Sequence, residues 1–138
     1  MFLIYVFSSL ISCSLIDSNK KLNDSDMKYI ESLGLLNREE KVLCFSSSGN
    51  INQSGNFITN KRIASYWIDR DTSKSYKESA YYSDIIELDS VNLTNAWTVN
   101  SYLIVTKKDN TKFKVYINKD KYYKFSKSAF DNWEKNRN

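Results

Sequence analysis

Hydrophobic and polar positions are distributed in three different ways along this chain. Residues 1–16, MFLIYVFSSLISCSLI, carry no charge, and the first charged residue is Asp17. A helix needs roughly 20 apolar residues to span a bilayer, and four serines interrupt this shorter run. Its length and character are those of a signal-peptide apolar region. Residues 17–24 (DSNKKLND) follow as a polar tether. Apolar positions then recur at helical spacing. Met27, Ile30 and Leu33 share one face, Asp24 or Ser25 caps the start, and Gly34 terminates the segment.

From Glu39 the spacing shortens to that of strands. Lys41–Ser47 holds apolar positions at Val42 and Cys44, and the polar residues 46–56 form a loop. Asn56–Thr59 and Arg62–Asp69 are two further runs joined tightly at Asn60-Lys61, where asparagine tolerates the backbone a hairpin needs. Phe57 and Ile63 are expected to point inward. Residues 69–78 read as a charged turn, 79–88 as a strand or two, and 90–100 as ambiguous. The clearest hairpin is Tyr102–Thr106 with Lys112–Asn118, in which Phe113, Val115 and Ile117 face one side and Lys112, Lys114 and Tyr116 the other. A helix over Ser126–Lys135 closes the chain, its apolar surface supplied by Phe130 and Trp133.

This order predicts an α+β, mainly β, domain. A short N-terminal helix leads into a strongly bent antiparallel sheet or barrel of six to seven strands, and the C-terminal helix caps its open end. The expected organisation is 1–12 signal peptide, 13–24 tether and 25–138 a single domain. A length of 138 residues fits one domain with one main core. Twenty aromatic residues, no Pro and only three Gly exclude low-complexity and fibrous classes. The Lys, Asn, Ile and Tyr richness suggests an AT-rich, bacterial genome.

Chemistry is narrowed further by what is missing. The chain has no histidine, which removes histidine-based triads, histidine zinc sites and the usual neutral-pH proton shuttle. Two cysteines are too few for a thiolate cluster, so neither a metal nor another cofactor is expected. Glu39, Glu40, Asp69, Asp71, Glu87 and Asp89 could supply a carboxylate pair for glycoside hydrolysis, but no spacing singles one out. The expectation is a protein without catalytic residues. Cys44, within a strand, reads as a small buried hydrophobe.

The net charge of +4 is unevenly placed, with residues 107–138 carrying +6 and residues 1–106 carrying −2. Lys107, Lys108, Lys112 and Lys114 concentrate it on the later hairpin. They are candidates for contact with an acidic protein or anionic lipid, against the plainer reading of a solvated strand. Lysines interleaved with aromatics over 112–125 would suit single-stranded nucleic acid. That reading ranks below the others, because arginines are few and no RNA-binding motif is present.

Two resemblances bear on function. Leu10-Ile11-Ser12-Cys13 resembles the lipobox of bacterial lipoproteins, which implies cleavage after Ser12 and a thioether-linked lipid on Cys13. A disulfide from Cys44 to Cys13 would conflict with that lipid. No Lys or Arg precedes the apolar run and only twelve residues precede Cys13, as a start codon placed too far downstream would explain. An uncleaved membrane anchor and a core segment are the alternatives. Gly55-Asn56-Phe57-Ile58-Thr59-Asn60-Lys61-Arg62-Ile63 looks like the strand–turn–strand signature of GRAM and bacterial pleckstrin-homology-like domains. Glu39-Glu40-Lys41-Val42-Leu43 resembles the lead-in to their first strand. Gly55, Thr59, Asn60 and Arg62 carry that signature and read as structural. Arg62 is expected to pair with a carboxylate on a neighbouring strand.

The second resemblance implies a binding module for membrane, peptide or protein. Its phosphoinositide-binding members use a basic first hairpin loop, and here residues 46–54 contain no Lys or Arg. The expected setting is the bacterial cell envelope, with the membrane reached through a lipid anchor. An intracellular, cytoplasmic module is the alternative.

Overall fold

The computed structural model describes residues 22–96 and 99–137. The signal peptide, Cys13 and most of the tether lie outside the described residues. Helix α1 (Asp24–Ser32) is followed by β1 (Val42–Ser46), β2 (Ser54–Thr59), β3 (Arg62–Trp67), β4 (Tyr76–Tyr81), β5 (Ile85–Val91), β6 (Ser101–Lys107), β7 (Lys112–Ile117) and helix α2 (Tyr122–Asn136). All strand pairs are antiparallel. They form a four-stranded sheet in the order β1-β2-β3-β4 and a three-stranded sheet in the order β5-β6-β7. The expected strand number and capping helix are present, and the sheets remain two rather than closing into a barrel.

The main core lies between the sheets and under α2. Ile58 and Ile63 from the first sheet meet Leu103, Val105, Val115 and Ile117 from the second. Helix α2 contributes Tyr122, Phe125, Ala129 and Trp133, a stripe at helical spacing that covers the open end. The Trp133 indole N–H donates to the Ile85 carbonyl at 3.1 Å, so its polar edge is satisfied inside the core. Cys44, on β1, is fully buried as expected and is in addition disulfide-bonded.

A second core covers the other face of the first sheet. There α1 and the segment after it bring Ile30, Leu35 and Leu36 onto Phe57, Ala64 and Tyr66. This corrects the direction expected for Phe57. Phe57 pairs with Ala64 and Ile58 with Ile63, so Phe57 points to the α1 side while Ile63 points between the sheets. Both faces being covered, all six residues of β2 are buried.

Boundaries moved where hydrogen bonding outranked apolar spacing. The cap of α1 is Asn23, which exchanges reciprocal bonds with Asp26 in a capping box. The strand β4 begins at Tyr76, inside the expected charged turn, because pairing with Trp67 extends the ladder. Helix α2 begins at Tyr122, about a turn earlier than its apolar stripe suggested.

Candidate functional site

The signature turn is the most heavily bonded polar structure in the domain. The Arg62 Nε–H donates to both Glu40 carboxylate oxygens at 3.0 Å, its Nη2 also reaches Glu40, and both side chains are almost wholly buried. The Thr59 hydroxyl donates to Glu40 at 2.8 Å and accepts from the amides of Lys61 and Arg62. Asn60 accepts from the Lys41 amide, and the buried Tyr82 hydroxyl donates to the Thr59 carbonyl. The expected carboxylate partner of Arg62 is therefore Glu40, from the lead-in to β1. A buried pair of this kind fixes geometry more than it adds stability, and breaking it leaves a buried charge. Arg62 also lies over the ring of the exposed Tyr81 at 4.7 Å.

The other candidate carboxylates are spread apart. Asp69 and Asp71 accept amides within the β3–β4 connection, and the Ser73 hydroxyl and amide hold the Asp71 carboxyl below the usual range. Glu87 and Asp89 lie on the exposed face of β5.

The four expected lysines do not form one patch. Lys107 reaches Glu78 at 3.6 Å and lies over the Phe113 ring. Lys112 and Lys114 stand on the outer face of the second sheet, with Lys114 over the Tyr102 ring at 4.6 Å. Across that face the register aligns Glu87, Thr106 and Lys112 in one row and Asp89, Ile104 and Lys114 in the next. Two strand spacings, roughly 10 Å, separate each lysine from a carboxylate, which is about one screening length in dilute salt. Lys108 sits elsewhere, its amide bonded to the Asp84 carbonyl at 2.9 Å. Asp84 closes the short turn that begins at Tyr82, whose amide bonds to the Lys61 carbonyl. Lys41 joins this end through Asn60. The lysine-bearing end is thus Lys41, Lys61 and Lys108, interspersed with Asp84 and Asp109.

At the opposite end the two sheets meet without a continuous ladder. The Asn56 side-chain Oδ1 accepts from the Ser65 hydroxyl at 2.7 Å and from the Tyr116 amide at 3.0 Å. The Asn118 amide donates to the Ser46 hydroxyl, and its side chain donates to the Ser47 carbonyl. Beside this seam lies a cleft of about 190 Å³ lined by Trp67, Tyr76, Tyr116, Asn56, Asn100 and Asn118, with Ser48, Ser54 and Tyr66 completing it. Among the described residues no charged side chain lines it. Burial holds the Tyr76 phenol above its ordinary pKa, opposed by a hydrogen bond with Ser65. Neither Trp67 nor Asn100 and Asn118 stand out in the sequence as site residues. The cleft draws on both sheets and two loops, so no local pattern announces it.

A four-stranded and a three-stranded antiparallel sheet with a C-terminal helix across the open end make this a pleckstrin-homology-like fold. The chain is similar to the crystal structure of a DUF1696 family protein with a pleckstrin-homology domain from Shewanella loihica PV-4. The TM-score is 0.54 at 12% identity, covering 85% of this chain and 95% of that one. No family model and no curated protein matches the sequence.

Proposed function

We propose that this chain is a non-catalytic, lipid-anchored protein of the bacterial cell envelope, whose pleckstrin-homology-like domain binds a protein or membrane surface. The fold carries the binding half of this reading, since the similar solved chain bears a pleckstrin-homology domain and the buried polar residues of the signature serve the scaffold. The anchoring half rests on the uncharged residues 1–16 and the Leu10-Ile11-Ser12-Cys13 resemblance. The domain would meet anionic headgroups or an acidic partner through Lys41, Lys61 and Lys108. Between Cys13 and Asn23 an extended tether reaches at most roughly 35 Å. The aromatics of 112–125 serve nucleic acid poorly, because Phe113, Tyr122 and Phe125 are buried in the core.

The chain has two cysteines, so a lipid thioether on Cys13 and an intramolecular disulfide to Cys44 compete for the same sulfur. Both chemistries belong to an exported chain. Intact-mass measurement on the membrane fraction of the native host distinguishes them. The expected result is loss of residues 1–12 with an added lipid mass, abolished by Cys13→Ser. A lipid-free chain, whether carrying a disulfide or reduced, overturns the anchor. A lipid-free chain recovered from the cytoplasm overturns the envelope location as well.

A further inference from the structure

We propose that the cleft at the seam of the two sheets is a binding site for a neutral saccharide unit. Its lining combines four aromatic rings, Tyr66, Trp67, Tyr76 and Tyr116, with the amides of Asn56, Asn100 and Asn118. A pyranose needs this combination, for it presents a C–H face to an aromatic ring and a rim of hydroxyls to amides. Among the described residues the lining carries no charged group, so it offers no attraction of the kind a phosphate, carboxylate or ammonium ligand would require. The polar rim equally disfavours an acyl chain. At about 190 Å³ the cleft is smaller than a drug-sized site of roughly 300–1,000 Å³, which fits one sugar ring rather than a buried oligosaccharide.

The polar atoms divide into those that build the wall and those left for a ligand. The Asn56 side-chain Oδ1 has both lone pairs occupied by Ser65 and Tyr116, so Asn56 is a wall residue. The Asn118 side-chain N–H is held by the Ser47 carbonyl, which aims its carbonyl oxygen while leaving it unused. The Asn100 amide and the Tyr116 hydroxyl make no hydrogen bond among the described residues. Tyr76 and Tyr116 are each more than a third exposed, unusual for large rings in a domain that buries most of its aromatics. Rings held on strands and donors held by neighbours form a pre-organised surface, which lowers the ordering cost of binding.

The test is a titration of the full chain with the disaccharide of N-acetylglucosamine, followed by the side-chain N–H signals of Trp67, Asn100 and Asn118. Saturable shifts at these signals are expected. Tyr116→Ala should weaken binding about tenfold by removing one stacking face. Asn100→Asp, at the surface and away from the core, should weaken binding while leaving the unfolding transition in place. Absence of saturation overturns the proposal, as do shifts confined to lysine-bearing segments. Displacement of the same signals by an uncharged tripeptide but not by the sugar overturns it in favour of peptide.

Discussion

Gly55 lies directly opposite Tyr66 on the paired strand, and a β-carbon there would fall 2.6 Å from the phenol Cζ. The glycine of the signature is thus required by the ring that crosses it, not by an unusual turn. Gly55→Ala should cost about 1–3 kcal/mol in urea unfolding. Gly49→Ala, with open space around the same atom, should leave the midpoint nearly unchanged. Burial also raises the phenol pKa of Tyr66 and of Tyr82 above the ordinary value near 10. A raised pKa on an acid means that the unfolded chain ionises first as pH increases. Stability should therefore be intact below about pH 10 and fall above it. In an alkaline absorbance titration these two phenols should ionise only as the chain unfolds.

Among the elements, α1 decides how the first sheet is buried. Ile30 is fully buried, and it seals Phe57, Ala64 and Tyr66 from water. Ile30→Ala should cost about 2–5 kcal/mol, and hydrogen exchange should rise first in α1 while the β6–β7 ladder stays protected. The alternation in β7 was legible because one of its faces is wet. The alternation in β2 was not, since α1 hides the outer face and makes every position buried. Arg62 and a carboxylate partner could be anticipated from charge alone. That the partner is Glu40 rather than another carboxylate depends on how the chain enters β1. Trp67, Asn100 and Tyr116 come together only through tertiary packing, so the sequence offered no sign of the cleft.

For the molecule as a whole, the joint between the sheets rests on side chains. Asn56 from the first sheet accepts the Tyr116 amide of the second, and Ser46 accepts the Asn118 amide. Replacing Asn56 with Leu removes an acceptor from a backbone N–H in a partly buried position. The expected loss is about 1–3 kcal/mol, with faster exchange of the Tyr116 amide as the local readout. Every neighbouring pair within each sheet is joined by an antiparallel ladder, interrupted only by irregularities at Val42–Cys44 and Ile85–Glu87, so the ladders should outlast the joint.

The attachment of α1 has a mechanical meaning. When Cys13 carries the proposed lipid rather than a bond to Cys44, tension applied along residues N-terminal to Asn23 enters the domain through α1. That helix is held to the sheet by apolar packing and to the β1–β2 connection by a hydrogen bond from the Tyr29 hydroxyl to the Asn52 carbonyl. The strands behind it are zipped by ladders that resist shear. Under load α1 would peel away first and lay bare the Phe57–Tyr66 face, making it a breakaway cover over an otherwise intact sandwich.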